Sequence, residues 1–179
     1  MKEWKLPSII KELNLSENDL FVDIGGYHGD ATLCAVNTFG CRAVIYEPYP
    51  EFFRQCLNRF GENERIKVEP FGLGFGEGMR EIFYDDDGTS LFQGEDGVEV
   101  LIKDANEVLA PLKPKAIKIN AEGAEYEILD SLKEFADDML IQFHYRKSGK
   151  EKEYLAAQRK LAKTHKKVWS RKTWELWRR

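Results

Sequence analysis

The segment FVDIGGYHGD, residues 21–30, constrains the fold more than any other stretch of the chain. An apolar strand that closes on an acid and runs into a glycine-rich turn is how α/β folds present backbone to a nucleotide at the start of a helix. Gly25 and Gly26 permit the tight turn, and Gly29 lets the next helix begin close to a ligand. Asp23, at the strand end, can accept hydrogen bonds from a ligand or from its own loop. Tyr27 and His28 sit inside the turn, placed to pack against a bound group; loop exposure is the alternative.

The glycine spacing separates two cofactor classes. A dinucleotide fingerprint ending on Gly29 would need glycine at positions 24, 26 and 29, but position 24 is Ile. That argues against a nicotinamide or flavin enzyme. Asp23, Gly25 and Gly29 instead satisfy the D-x-G-x-x-x-G turn found in S-adenosylmethionine (SAM) methyltransferases. A second strand, RAVIY, ends at Glu47 and is stopped by Pro48. Glu47 lies 22 positions beyond Gly25, close to the separation of about 20 expected between a nucleotide turn and the acid that holds a ribose. A carboxylate there accepts from both ribose hydroxyls; a solvated Glu before a turn is the other reading.

A third signal is KAIKINAEGAEYEIL, residues 115–129, where a short strand over 116–119 meets Asn120, Glu122, Gly123 and Glu125 before an amphipathic helix. Taken together, the three segments resemble the FkbM family of SAM-dependent methyltransferases, over roughly residues 19–144. The family carries D-x-G-A-x-x-G after its first strand, E-P after its second and K-I-D-V-E-G-A-E at the place of residues 118–125. The resemblance implies a Rossmann-like class I methyltransferase fold and SAM as cofactor. The cofactor set it implies is Asp23, Gly25, Gly26, Tyr27, His28, Gly29, Glu47, Pro48, Gly72, Leu73 and Asn120. It further implies methylation of a hydroxyl on a sugar, lipid or other small metabolite, with Asn120, Glu122 and His144 as catalytic candidates, and Asp104 matches an Asp that the family often has upstream.

Two positions depart from the family pattern. Asn120 stands where Asp is usual, and Gln142 where Glu is usual. An amide still hydrogen-bonds an ammonium group or a hydroxyl, but it cannot serve as a general base. Deprotonation of an acceptor therefore falls to His144 or Glu122. The bland readings are a hydrogen-bonded strand-end His and helix-opening acids at Glu122 and Glu125 that favour the positive end of the helix; Glu125 is taken as structural.

The remaining chain fits one α/β domain of 179 residues, with a mostly parallel seven-stranded sheet, helices on both faces and a C-terminal antiparallel hairpin. Helices are expected over 7–13 (within a short N-terminal extension, 1–18), 30–37, 51–59, 125–135 and 150–163. Strands are expected over 20–24, 42–46, 66–69, 116–119 and 139–143, with the hairpin formed by KKVWS and TWELWRR. Residues 71–104 read as a variable, insert-like segment, an antiparallel add-on or a lid near the active face. Within it Asp85, Asp86 and Asp87 read as a solvated turn, not a metal site, and Ser90 as a minor acceptor-side candidate; no metal is expected. Cys34, Cys41 and Cys56 lack C-x-x-C spacing and read as reduced thiols, which suits a cytoplasmic protein. No apolar run is long enough for a membrane span, and the opening residues do not read as a signal peptide.

Charge is unevenly distributed. Residues 146–179 hold 13 Lys or Arg against 3 Asp or Glu, a balance of +10, while the rest holds 14 against 28, a balance of −14. That asymmetry raises RNA as a partner, with Trp169, Trp174 and Trp177 as stacking candidates; the competing reading is a solvated helix face with the Trps packed in the hairpin. Three functions follow as expectations: a small-molecule O-methyltransferase, an RNA methyltransferase using the basic segment, or a catalytically silent SAM-binding protein.

Overall fold

The computed structural model describes residues 6–85, 88–90, 97–145 and 149–179. Its main body alternates strand and helix: α1 (Leu6–Ile10), β1 (Leu20–Ile24), α2 (Asp30–Phe39), β2 (Arg42–Tyr46), α3 (Pro50–Phe60) and β3 (Ile66–Glu69). Next come β4 (Gly72–Gly74), β5 (Gly78–Asp85), β6 (Gly88–Ser90), β7 (Gly97–Asp104) and α4 (Ala105–Leu109). The chain continues through β8 (Ala116–Ile119), α5 (Glu125–Ser131), β9 (Asp138–Gln142), α6 (Glu151–Leu161), β10 (Lys166–Arg171) and β11 (Trp174–Arg178). The seven-stranded sheet runs β10-β11-β9-β8-β1-β2-β3. Strands β3, β2, β1, β8 and β9 are parallel, and β11 enters antiparallel between β9 and β10. This is the expected sheet.

The central strands are apolar on both sides because each face carries a helical layer. Val22, Ile24, Val44, Tyr46, Ile117, Ile119, Met139 and Ile141 point into one core with Ile128, Leu129 and Leu161 from the helices. Phe21, Ala43, Ile45, Ala116, Leu140 and Leu176 alternate into the other core, against Ile10, Ala35, Cys56 and Phe60. At about 25 cal/mol per Å² of apolar area removed from water, these two cores dominate the stability. A polar pair interrupts the second face: Asp23 and Lys118 are direct neighbours on β1 and β8 and both are buried.

Residues 71–104 do not extend the main sheet. They supply a separate four-stranded sheet, order β4-β7-β5-β6, in which β5 pairs antiparallel with β7 and β6 while β4 pairs parallel with β7. The expected add-on is thus present, with one parallel pairing that sequence alone did not indicate. Helix α4 was not foreseen, since five residues carry little periodicity. It forms because the Asp104 carboxylate caps it, accepting from the Asn106 and Glu107 amides, and also receives Ser131 Oγ and the Gly76 amide. Those donors hold the Asp104 carboxyl below its ordinary range, the Gly76 amide most of all. Helix α5 ends at Ser131, four residues short of expectation, because Leu132 turns extended to bury its side chain in the first core. Helix α1 likewise stops at Ile10 and not at 13.

Among the described residues no helix is long and apolar enough to cross a membrane. No group of three or more His, Cys, Asp or Glu there could hold a metal ion. Of the acidic run, Asp86 and Asp87 lie outside the described residues, as does the side chain of Ser90.

Candidate active site

The carboxyl ends of β1, β2 and β8 open onto a cleft of about 500 Å³, counting the space that communicates with solvent. Gly25, Glu47, Pro48, Gly72, Leu73 and Asn120 line it together with apolar walls that include Ile82, Ile102 and Ala124. Six of the residues expected to bind cofactor therefore converge, drawn from four separate stretches of sequence. The second sheet contributes part of the wall through β4, β5 and β7, which places the 71–104 segment beside this site.

The β1 turn is locked in place by backbone contacts. Gly25 has φ +72°, and a Cβ at that position would stand 1.9 Å from the Asn120 carbonyl oxygen, so only glycine fits. Its amide donates to the Tyr46 carbonyl at 3.0 Å. Gly26 and Gly29 press against Ile45 and Phe60, and Gly72 against Ile102 and Pro48. Tyr27 and His28 do not line the cleft. Their rings cluster with Phe52, and their backbones serve instead: the Tyr27 amide donates to Glu47 and the His28 carbonyl accepts from Arg59. Asp23 is likewise withdrawn, its carboxylate 2.9 Å from Lys118 Nζ and accepting from Thr32 Oγ1 at 2.8 Å.

Glu47 is 3% exposed and accepts from the Tyr27 amide at 2.8 Å on one oxygen and from the Tyr49 amide at 2.9 Å on the other. Burial pushes its carboxyl up to about 7, against the pull of those amides and of Lys118. Each oxygen keeps acceptor capacity for a further donor. Asn120 adds a second anchor: its Oδ1 is buried and has no hydrogen-bond partner among the described residues. A buried unpartnered acceptor on a cleft wall is costly unless a ligand donor satisfies it. Both acceptors are placed to take hydroxyl or amino donors of a ligand in the cleft.

A second cluster forms beside the cleft, where the β8 and β9 loops meet. His144 Nε2 lies 3.1 Å from Glu122 Oε2, and Nδ1 lies 2.8 Å from Glu125 Oε1. Glu122 adopts φ +44°, an uncommon backbone for a side-chain-bearing residue. Glu125 is fully buried and also accepts from the Ala121 and Gly123 amides. Reading Glu125 as a helix-opening acid missed its side-chain role. The two catalytic candidates Glu122 and His144 come together directly, while the other ring nitrogen meets Glu125, a residue that sequence spacing gave no reason to join to a His 19 positions away. Gln142 ends β9 opposite Trp174, partly buried.

Lys118 was given no role; its sequence traces are a Lys inside an otherwise apolar strand and the opening Lys of the segment 118–125. Cys56 donates to the Tyr27 carbonyl, and burial raises its thiol to about 12, which disfavours the thiolate. In the basic segment, Trp177 is buried with its indole N–H on Glu175, and Trp169 and Trp174 pack against the second core. Trp177 is therefore a core residue and cannot stack on a base. Lys150, Lys160 and Arg179 donate to backbone carbonyls, and Arg178 pairs with Asp138.

No protein-family model and no curated sequence matches the chain. Solved structures do. A precorrin-6y C5,15-methyltransferase from Geobacter metallireducens is 12% identical with a TM-score of 0.57, over 99% of this chain and 87% of that one. An RNA methyltransferase from Salinibacter ruber, in complex with S-adenosyl-L-homocysteine, is 11% identical with a TM-score of 0.54, over 99% and 90%. A SAM-dependent O-methyltransferase from Thermotoga maritima is 12% identical with a TM-score of 0.56, and this chain spans 99% of itself but only 64% of that protein. At such identities the likeness speaks for architecture, and on that footing the chain has the Rossmann-like fold of the class I methyltransferases.

Proposed function

We propose that the protein is a SAM-dependent methyltransferase acting on a hydroxyl of a small metabolite, sugar or lipid. The observation that carries this reading is the buried, unpartnered Oδ1 of Asn120 in the same cleft as Glu47. Two acceptors, a carboxyl and an amide, would suit a ligand that offers ribose hydroxyls and an amino group. SAM would supply a methyl group on a positively charged sulfur, so the protein's task is mainly alignment, for which well-oriented reactants recover about 7–11 kcal/mol of barrier. Glu47 would hold the ribose, Asn120 the amino group, and Gly25, Gly72 and Leu73 would bring backbone close.

Proton removal falls to the Glu122–His144–Glu125 cluster. With Nδ1 held by buried Glu125, Nε2 and the partly exposed Glu122 carboxylate form the end of the chain that faces solvent. A hydroxyl reaching that end finds a place for its proton. The FkbM likeness of residues 118–125 favours the same assignment. The neutral amide of Asn120 removes one carboxylate but leaves this cluster intact, which favours an active enzyme over a silent binder.

RNA as acceptor is a second reading, favoured by Lys152, Arg159, Lys163, Lys166 and Arg171, which are exposed on α6, β10 and the turn between them. Calorimetric titration with SAM, S-adenosylhomocysteine and NAD tests the cofactor assignment. Selective binding of the first two, weakened in Glu47→Ala, is expected; binding of NAD alone would remove the methyltransferase reading.

A further inference from the structure

Lys118 is the most heavily buried cation in the described structure, 1% exposed in the middle of the sheet. Burying an ammonium is expensive, and a pair of apolar residues can often replace a buried ion pair without loss of stability. Its presence calls for something that an apolar side chain could not do. Besides its 2.9 Å contact with Asp23, the ammonium donates to the Gly25 carbonyl at 2.6 Å. Gly25 is the residue whose amide is tied to β2 through Tyr46 and whose Cα faces the Asn120 carbonyl.

We propose that Lys118 is a positioning residue of the cofactor site: clamped by Asp23, it holds the Gly25 carbonyl inward and so fixes the turn that forms the cleft wall. The turn is then fastened on both sides, by β2 through the Gly25 amide and by β8 through its carbonyl. Asp23 acquires a corresponding role. It is the counterion that keeps the ammonium in place, and it reaches the cofactor only through Lys118. This inference rests on the methyltransferase reading for its cofactor consequence, while the fastening of the turn stands apart from that reading.

Lys118 also acts on Glu47 through space. The groups facing that carboxylate are the Tyr27 and Tyr49 amides, Asp23 on β1, Lys118 on β8 and Cys56 on α3. Lys118 favours the ionised form and Asp23 opposes it. Removing Lys118 alone therefore moves the ionisation of Glu47 to higher pH, whereas neutralising both partners largely restores it.

The test uses Lys118→Met and the double variant Asp23→Asn with Lys118→Met, which keeps an acceptor for Thr32 and strands no buried charge. Amide hydrogen exchange across residues 25–29 comes first, since it needs no ligand. Exchange at least tenfold faster at Tyr27 and Gly29 in the double variant, with β2 amides unchanged, is the expected result; unchanged exchange overturns the proposal. S-adenosylhomocysteine titrations from pH 6 to 9 follow. The expected result is at least a tenfold loss of affinity in the double variant. The affinity-versus-pH midpoint should move upward in Lys118→Met and return in the double variant, a shift that a purely structural Lys would not produce. Wild-type affinity in a folded double variant would overturn the proposal. Wild-type protein that binds no S-adenosylhomocysteine would sink the cofactor assignment, while the exchange data still decide whether Lys118 holds the turn.

Discussion

The β1 turn that walls the cleft and the Glu122–His144–Glu125 cluster beside it are built on opposite principles. The β1 turn is shaped by glycines pressed against backbone and side chains, with Gly25 against Asn120 and Gly29 against Phe60. In the cluster, shape comes from side chains meeting across loops: Glu122 after β8, Glu125 opening α5 and His144 after β9. The first tolerates almost no added atom. The second depends on hydrogen-bonding character, since Glu125 and Glu122 hold the two ring nitrogens of His144. Binding and chemistry should therefore respond to different mutations.

The largest effect is expected at Gly25. Gly25→Ala adds a Cβ into the Asn120 carbonyl and asks Ala for a left-handed backbone, which alone costs about 1–3 kcal/mol. S-adenosylhomocysteine binding should weaken about a hundredfold, equivalent to about 3 kcal/mol, and calorimetry would show it; near wild-type affinity would mean that the turn is softer than its contacts imply.

Next is His144. His144→Gln should slow transfer to a hydroxyl acceptor about 10²- to 10⁴-fold, the usual range for a general base, while cofactor affinity changes by less than about twofold. Single-turnover rates and calorimetry separate the two. Equal losses in both would erase the division between the two sides.

Glu47 offers a test by pH. Its folded-state pKa, about 7, is raised above the ordinary carboxylate value of 4.5 by burial. The native state therefore holds the proton more tightly than the unfolded chain, and stability falls as pH rises through the window from 4.5 to 7. Relative to wild type, Glu47→Gln should gain up to about 3 kcal/mol in unfolding free energy between pH 5 and pH 8, read by denaturant titration at each pH. The same variant should bind S-adenosylhomocysteine roughly ten- to a hundredfold more weakly at pH 8, the loss of charge-assisted hydrogen bonds. Loss of binding without the pH-dependent gain would mean that Glu47 is ionised at little cost.

The smallest effect should come from the basic segment. Reversing Lys163, Lys166 and Arg171 to Glu should move stability by no more than about 0.5 kcal/mol per site and leave cofactor affinity unchanged. If the variant also loses a steeply salt-dependent RNA interaction shown by wild type, the acceptor is RNA and not a small hydroxyl compound.

The contrast between the two sides also explains what was legible beforehand. Strands β1, β2, β3 and β8 and the pattern Asp23, Gly25, Gly29, Glu47 could be read because backbone turns and apolar runs are local. The exchange of roles inside that pattern could not be read: Asp23 faces Lys118, and Tyr27 offers its amide where its ring was expected to matter. Glu125 looked like a helix-opening acid because its partner His144 lies on another loop, and helix α4 was hidden because it depends on a single capping carboxylate. Side-chain pairing across strands leaves no periodic trace.

The sheet order has a consequence for how the molecule is made. Strand β11 follows β10 in the chain, yet it lies between β9 and β10 and pairs with both. As a chain leaves the ribosome from its amino end, β10 emerges before it has any neighbour to pair with. Until residues 174–178 follow, Asp138 lacks Arg178, and Tyr154 and Lys167 lack Glu175. Residues 174–178 thus act as a fastener slotted in beside the sheet edge, and a nascent chain stopped just short of them would keep the β1, β2 and β3 side of the sheet while leaving the other margin open.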